Sequence, residues 1–355
     1  MGAFVLATAL SLRSLRLALP PLSAWKVAVD PTPQDGTNTV PFRFWHYPYL
    51  GTTLEVRVGG LSEGDAGIID AAVMAEVDRL ERLFSVFDPD SELRRWTHRE
   101  IDQPGPELQE VLAGALRWQR WSAGAFNPMV GLITARWQQA EDEQVEPRPG
   151  ELAALASSIR EPRYVVDSGG TIGVVGDLHG LSLNAYAKGW IVDRAVQRGL
   201  EAGPPCGGHD LVVNAGGDLR HVGPRALAVG IENPHRAYDN APPLSSVIIG
   251  QAATATSGSA RRAFHVGIQR YSQIIDPRTG TTVQTPASVS VVAPDAATAD
   301  VLATILAVAH PGLVLERATK LGVAWLIVDQ AGSRRANQAW TDLELAADTV
   351  MLNAG

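Results

Sequence analysis

NAYAKGWIVDRAVQRGLEAGPPCGGHDLVVNA, residues 184–215, carries a helix straight into a strand. Over 184–200 the residues Ala185, Ile191, Ala195, Val196 and Gly199 fall on one side of a helix, at the spacing of an amphipathic element. A Gly- and Pro-rich loop follows, and then DLVVNA (210–215), apolar and rich in valine, reads as a strand. What comes next decides the fold class. ALAVGIE (226–232), SSVIIG (245–250), RAFHVGI (262–268), YSQII (271–275) and SVSVVA (288–293) succeed one another with no helical pattern between them. Strands that follow strands this closely pair antiparallel, because a parallel pair needs a crossover of a dozen residues or more. The expected class is α+β, with mixed or antiparallel sheets and packed helices, not a doubly wound parallel sheet.

Outward from this block the pattern continues. TLEVRV (53–58) alternates, with Leu54, Val56 and Val58 on one face of a half-buried strand. Residues 64–87 read as a helix through Val73, Val77, Leu80, Phe84 and Phe87, stopped at DPDSEL by Pro89. A second helix covers about 106–122 and ends at Gly124; Trp118, Trp121 and Trp137 around it are core or rim packing. The charged, Pro-containing stretch 138–152 reads as a surface loop. Residues 164–166 and 171–175 form a hairpin across DSGG. A final helix is expected from about Ala296 to Ala309, and VAWLIVD (323–329) as the last buried strand. No linker divides the chain after residue 40, so one domain is expected over 41–355.

Composition narrows the function classes. The chain has 355 residues, 45% of them hydrophobic, with net charge −8, a pI of about 5.5 and a mean hydropathy of zero. An acidic chain with no basic stripe is not built for a nucleic-acid backbone. The single cysteine, Cys206, excludes an internal disulfide and a multi-cysteine metal site. The first forty residues read as a poorly ordered leader ending in DPTPQDGTNTVP. Its apolar run is broken by Arg13 and Arg16, unlike a regular export signal. No run reaches the roughly 18 apolar residues of a membrane span.

Five further segments and one turn carry chemistry. GAFNPMVG (124–131) is a Gly-framed, exposed turn in which Phe126 and Asn127 can stack on and bond a heterocycle. In LSLNAYAKGW (181–190), Ser182 or Asn184 can cap the helix that follows, and Lys188 adds a positive charge to an anion-favouring helix start. VNAGGDLR (213–220) ends a strand in Gly216-Gly217, where a ligand can approach the backbone closely, and continues into Asp218 and Arg220. ATATSGSARR (253–262) sets the hydroxyls of Thr254, Thr256 and Ser257 before Gly258, Arg261 and Arg262. In ATADVLATI (297–305), Asp300 and Thr304 are four apart and share a helix face. A carboxylate and a hydroxyl are hard oxygen donors that suit Mg²⁺. YSQIIDPRTG (271–280) is a strand ending in Ile274 and Ile275. Its Asp-Pro-Arg-Thr-Gly turn is stiffened by Pro277, with Asp276 bonding its own backbone and Gly280 at positive φ. Each alone also describes an ordinary capped helix, polar loop or surface hairpin.

Taken in order, the segments resemble the FAD:protein FMN transferases, the ApbE family, over roughly residues 45–330. LGTTLEV, SVFDPDSEL, GAFNPMVGL, AKGWIVDRA, NAGGDLR, ATSGSARR, SQIIDPRTG and ADVLATIL stand in the order of that family's motifs. The resemblance implies an ApbE-like, tunnelling-fold-like architecture. It also implies Mg²⁺-dependent transfer of the FMN half of FAD, through a phosphoester bond, to a Thr or Ser of an acceptor protein, with release of AMP. It implies Mg²⁺ held by Asp300, Thr304 and the backbone carbonyl of Ala185. Leu50, Ala125, Phe126, Asn127, Ser182, Lys188 and Ile274 would line the FAD site, with Gly216, Gly217 and Asp218 at the pyrophosphate. Family acceptors carry a D-x-x-[ST]-G-A-[ST] type motif, which this chain lacks, so the acceptor is another protein. The compartment is open between the bacterial cytoplasm and the outer face of the inner membrane.

The departures are as informative. Gln273 stands where the family carries His as the base for the acceptor hydroxyl, and an amide takes no proton at neutral pH. Asn127 and Ser182 replace Asp, and Ala303 stands where some members carry a second acid near the metal. The alternative is an FAD-binding protein, or a slow FAD pyrophosphatase, without transfer. His209 and His265 are the remaining histidines considered as substitute bases, though no motif ties either to the site.

Overall fold

The computed structural model describes residues 40–345 apart from 168, 206–207, 237–240, 260–261 and 309–311. Cys206, Arg261, Ala309 and the leader as far as residue 39 lie outside the described residues. In chain order the elements begin β1 (Phe42–Tyr49), β2 (Thr52–Gly59), α1 (Glu63–Phe84), α2 (Glu92–Thr97), α3 (Pro106–Trp121), α4 (Gly131–Glu143), α5 (Pro149–Ser158), β3 (Tyr164–Val166), β4 (Ile172–Val174) and α6 (Asn184–Ala202). They continue β5 (Asp210–Ala215), β6 (Asp218–Val222), β7 (Leu227–Ile231), β8 (Ser245–Ile249), β9 (Ala253–Gly258), β10 (Ala263–Val266), β11 (Gln269–Ser272), β12 (Ser288–Ala293), α7 (Ala296–Val308), α8 (Leu313–Lys320), β13 (Ala324–Val328), β14 (Arg334–Ala336) and α9 (Gln338–Leu343). Eight strands make one sheet in the order β1-β2-β5-β6-β9-β12-β13-β14, and every neighbouring pair in it is antiparallel. The α+β expectation holds for the reason given by the strand succession.

Period-two alternation places a different apolar set on each face of this sheet. Leu211, Val213 and Ala215 of β5, with Trp325 and Ile327 of β13, join a large core shared with α1, α6 and α7. Val212, Ala324, Leu326 and Val328 point the other way, onto Ile231 and Val247 of the β7–β8 ribbon and Trp340 of α9. Helices α6 and α7 therefore lie on one face, side by side, with the ends of β5, β6 and β9 beneath them. Among the described residues no helix is long and apolar enough to cross a membrane.

Several expectations are corrected. The first helix ends at Phe84, not 87, because the Ser85 hydroxyl accepts the N–H groups of Phe87 and Asp88, leaving Phe87 exposed. The stretch 138–152 is largely helical. α4 buries Ile133, Trp137 and Ala140 at helical spacing, and the charge that suggests a loop is its solvated side. The strand ending at Gly216-Gly217 is β5, and a second strand, β6, starts at once at Asp218; ATATSG is not a loop, since β9 is a sheet strand. The small side chains of Ala253 and Ala255 are fully covered, so polarity hides a buried strand. VAWLIVD is the last buried strand, as expected, since the edge strand β14 that follows is exposed; α7 is not the last helix, because α8 and α9 follow it.

Candidate functional site

The candidate site lies where α6, α7 and the β5–β6 turn meet. Leu183 occupies the N-cap position of α6 and there is no side-chain cap, contrary to the expected cap by Ser182 or Asn184. The Ser182 N–H instead donates to the Pro128 carbonyl at 2.7 Å, tying the helix start to GAFNP. Ala185 is not helical (φ −86°, ψ 16°), so the first turn is bent there. One turn on, the Gly189 N–H donates to Asp300 Oδ2 of α7 at 3.2 Å. Gly189 is required by the closeness of the helices, because a Cβ there would sit 2.5 Å from the Ala296 carbonyl carbon and 2.8 Å from Ala297 Cα.

Charge concentrates at this crossing. Lys188 Nζ lies 2.6 Å from Asp218 Oδ2 at the start of β6. Burial raises the pKa of Asp218, and Lys188 opposes the rise. Burial also holds Asp300 well above the ordinary carboxylate range, reinforced by the charge of Asp218. Burial works against the Lys188 ammonium, but Asp218 and Asp300 outweigh it and its pKa is raised. The cluster thus has two buried acids and one cation, and the cation is already engaged by Asp218. Asp300 gains from a further positive charge.

Mg²⁺ fits this donor set. Asp300 is a buried carboxylate one turn from Thr304, and the bent backbone at Ala185 lies one turn before the Gly189 N–H that holds Asp300. Among the described residues no cluster of three His, Cys, Asp or Glu side chains forms a metal cage. A site of one acid, one hydroxyl and one carbonyl is the sparse kind that Mg²⁺ completes with phosphate and water. The Thr304 hydroxyl is 3.0 Å from the Ser257 hydroxyl of β9, which gives the hydroxyls of ATATSG a place beside α7.

The β5–β6 turn offers backbone rather than side chains. Gly216 has φ +61°, and a Cβ there would lie 2.9 Å from Thr52 Cβ. Gly217 has φ +105° and open space where a side chain would be, so a ligand can approach its backbone closely. Leu50 adopts φ 51° in the β1–β2 turn, its N–H held by Glu81 Oε1 at 3.0 Å. The next carbonyl, that of Gly51, accepts from Arg262 Nη2 at 2.9 Å. The Arg262 charge opposes that of Lys188, which puts this guanidinium within electrostatic reach of the cluster.

GAFNP is not an exposed turn. Ala125, Phe126 and Asn127 are buried, and the Phe126 ring belongs to the main core. Asn127 Nδ2 donates to the Ile159 carbonyl and its Oδ1 accepts from Met129 N–H, each at 2.8 Å. Both ends of this amide brace the loop, so Phe126 and Asn127 do not project as a stacking platform. The DPRTG turn forms as expected, with Gly280 at φ +79° and Asp276 accepting from the Gly280 and Arg278 N–H groups. It is packed, not a free hairpin: Trp137 Nε1 donates to the Gly280 carbonyl at 2.9 Å. β11 stops at Ser272, earlier than expected, because the Ser272 hydroxyl takes the Ile274 N–H at 3.0 Å; Ile275 makes only an isolated bridge to Thr282. Gln273 is exposed just past the strand and Ile274 is half-buried. The β10–β11 pairing ends at Ala263↔Ser272, so Arg262 and Gln273 both lie just beyond it at the open end of the hairpin.

Neither histidine replaces the missing base. His265 pairs with Arg270 across the hairpin, one residue out of phase with Gln273, and lies 3.4 Å from Glu141. His209 is buried just before β5, at the end opposite Gly216. Asp193 was not legible as a functional residue in the sequence, and the partner of the Ser257 hydroxyl was not either. Asp193, inside AKGWIVDRA, accepts the first N–H groups of α7, and Ser257 bonds Thr304. The only sequence signal for Asp193 was its i, i+4 spacing from Gly189.

The model of the ApbE family matches residues 50–327. Among curated relatives, the FAD:protein FMN transferase of Haemophilus influenzae is 26% identical over 298 residues, covering 79% of this chain and 84% of that protein. That of Klebsiella pneumoniae is 27% identical over 301 residues, covering 80% and 83%. Among solved structures, the ApbE protein of Thermotoga maritima superposes with a TM-score of 0.76 at 24% identity, over 86% of this chain and all of that one. The flavin transferase ApbE from Vibrio cholerae gives 0.68 at 22% identity with the same coverage. These two likenesses establish the fold.

Proposed function

The chain belongs to the ApbE family, and from that premise we propose that it transfers the FMN half of FAD to a Thr or Ser hydroxyl of an acceptor protein. The observation that carries this reading is the cluster at the α6–α7 crossing: Asp300 held by Gly189 N–H at 3.2 Å, beside the Lys188–Asp218 pair at 2.6 Å. A buried acid with no cation of its own, next to an ammonium and an open glycine backbone, suits a metal-bound diphosphate. The relatives' shared name, FAD:protein FMN transferase, gives the class of the reaction.

In this reading the anhydride bond between the two phosphorus atoms of FAD breaks on the FMN side. A new ester bond forms from that phosphorus to the acceptor oxygen, and AMP leaves. Bound Mg²⁺ would supply charge neutralisation for the diphosphate; Asp300, Thr304 and the Ala185 carbonyl would hold it. Lys188 stays protonated, its charge favoured by Asp218 and Asp300, and faces the phosphates as a fixed cation. Gly217, with no side chain, lets the diphosphate lie against the backbone. Arg262 holds the Leu50–Gly51 turn over the site and adds positive charge within reach of Lys188. Leu50, Ile274 and the wall of which Ala125 is part keep water from the isoalloxazine side. Ser182 fixes the α6 start through its backbone bond to Pro128. Gln273 orients the acceptor hydroxyl by a hydrogen bond and leaves its proton to solvent or the departing phosphate.

A second reading is favoured by one observation. Gln273 is exposed and an amide takes no proton at neutral pH, so the chain can bind FAD, or split it slowly with water, without protein transfer. One reaction separates the two. Purified chain, FAD, Mg²⁺ and an acceptor domain bearing D-x-x-[ST]-G-A-[ST] are followed by intact mass and AMP release. An acceptor mass gain equal to FMN, abolished by EDTA, is the expected result. AMP release with no acceptor gain establishes the pyrophosphatase reading, and neither product overturns both enzymatic readings.

A further inference from the structure

We infer that Asp193 is a positioning residue for the metal-binding face of α7, fixing that helix against α6 so that Asp300 and Thr304 come level with Ala185. The inference rests on the metal reading proposed above. Asp193 touches neither substrate nor metal in that reading. It stands on α6, four residues after Gly189, so the two share the face turned to α7. Its Oδ1 accepts the Ala296 N–H and its Oδ2 the Ala297 N–H, each at 2.9 Å. Both oxygens are thus spent on two consecutive donors at the start of a thirteen-residue helix. A single acceptor lets a helix swivel about one bond; two acceptors on successive residues fix both rotation and translation.

The second tie is Gly189 N–H to Asp300 Oδ2. The two ties lie one turn apart on α6 and about one turn apart on α7. A slip of α7 by one residue would move Asp300 by about 1.5 Å and turn it by about 100°. Asp193 therefore sets, at the helix end, the register that Gly189 reads at the acid. The surroundings agree with an interhelical role. Arg220 Nε of β6 lies 3.8 Å from Asp193 Oδ1, which ties the clamp to the strand that carries Asp218. Asp295, by contrast, accepts the Thr298 N–H at 2.7 Å within its own chain segment. It caps α7 from within the same stretch of chain. The same helix start thus has one local cap and one cap reaching across from α6, which makes a natural control.

The test uses the full chain at pH 8 with Mn²⁺ alone as the probe, titrated by water-proton relaxation, with thermal unfolding recorded for each variant. Asp193→Asn keeps the shape but presents an amide N–H₂ to one of the two donors. Its Mn²⁺ Kd is expected to rise tenfold or more, the range seen when residues supporting a metal's ligands are removed. Asp295→Ala loses the local cap of the same helix and is expected to keep its Kd within twofold, whatever its unfolding temperature. The same Asp193→Asn protein should need more Mg²⁺ for half-maximal AMP release. An unchanged Kd in Asp193→Asn, or an equal rise in Asp295→Ala, overturns the inference, because the effect would then be loss of helix stability alone. Should Asp193→Asn give no cooperative unfolding, Asp193→Glu decides. It keeps both oxygens but moves the anchor by one methylene, so a raised Kd supports the clamp and an unchanged one refutes it. Failure of the unaltered chain to bind Mn²⁺ at millimolar concentration sinks the metal reading and this inference with it. Equal Mn²⁺ affinity in the unaltered chain and the Asn variant sinks the inference alone.

Discussion

Replacing Gly189 with alanine tests the helix crossing on which the site depends. The new Cβ would lie 2.5 Å from the Ala296 carbonyl carbon and 2.8 Å from Ala297 Cα. Ordinary carbon contacts are about 3.5–4.0 Å, so the helices must part by about 1 Å. The obstacles are backbone atoms of the first turn of α7, held by Asp193, and cannot rotate aside as a side chain would. Overpacking of this kind costs about 1–3 kcal/mol, and a rigid backbone obstacle puts the site at the upper end, about 3 kcal/mol. Alanine is the better helix former by about 1 kcal/mol. The net expectation is a loss of about 2 kcal/mol, a fall in Tm of roughly 3 °C for a chain of this size. The assay is urea and thermal unfolding by circular dichroism, with Mn²⁺ affinity measured on the folded variant. The sign decides. If Gly189→Ala is neutral or more stable, helix propensity governs and the close approach of α6 and α7 is wrong. A fall in stability with unchanged Mn²⁺ affinity would keep the packing argument and break its link to the metal.

Three further outcomes follow from the same geometry. Asn127→Asp, which restores the residue usual in the family, should destabilise this chain by about 1–3 kcal/mol at pH 8, since a carboxylate cannot donate to the Ile159 carbonyl. The loss should shrink at pH 5, where a protonated acid can donate, and an equally stable variant would refute the bracing role. Burial and the neighbouring charge of Asp295 raise Asp193 from 3.8 to about 6. A folded-state pKa above the unfolded one gives a contribution fully present below about pH 4 and lost as pH rises through 6, on the order of 3 kcal/mol. The stability of the unaltered chain relative to Asp193→Asn, from urea midpoints, should therefore fall between pH 4 and pH 7, and a flat difference would contradict it. Gln273→His should raise the rate of acceptor flavinylation by about 10²-fold or more at pH 8; an unchanged rate would show that this position does not serve the acceptor hydroxyl.

Much of the fold was legible in the residues. The alternation of Leu54, Val56 and Val58, and the valines of DLVVNA, mark strands because one face must be apolar. The helical spacing of Val73, Val77 and Leu80 marks α1 in the same way. Elements with other signatures were hidden. β9 carries alanines and hydroxyls that suit the tight space under α7, so its composition resembles a loop. α4 shows charge on its outer side and only three buried residues on its inner one. The site was legible as motifs but not as geometry. Phe126 and Asn127 look like ligand contacts in a Gly-framed segment, yet tertiary packing draws both into the interior, where Asn127 bonds a carbonyl 32 residues away.

The sequence by itself determined which residue types were available. It supplied a glycine where helices must touch, an acid and a hydroxyl four apart, two glycines ending a strand, and an amide in place of a base. Local geometry suffices for such readings, because backbone preferences and side-chain period act over a few residues. Only the tertiary structure decided that Asp193 reaches 103 residues along the chain to hold α7, that Gly189 faces Asp300, and that Lys188 is already paired with Asp218. Those relations depend on how two helices cross over a sheet. That crossing is set by the summed packing of the core and is written in no single stretch of sequence.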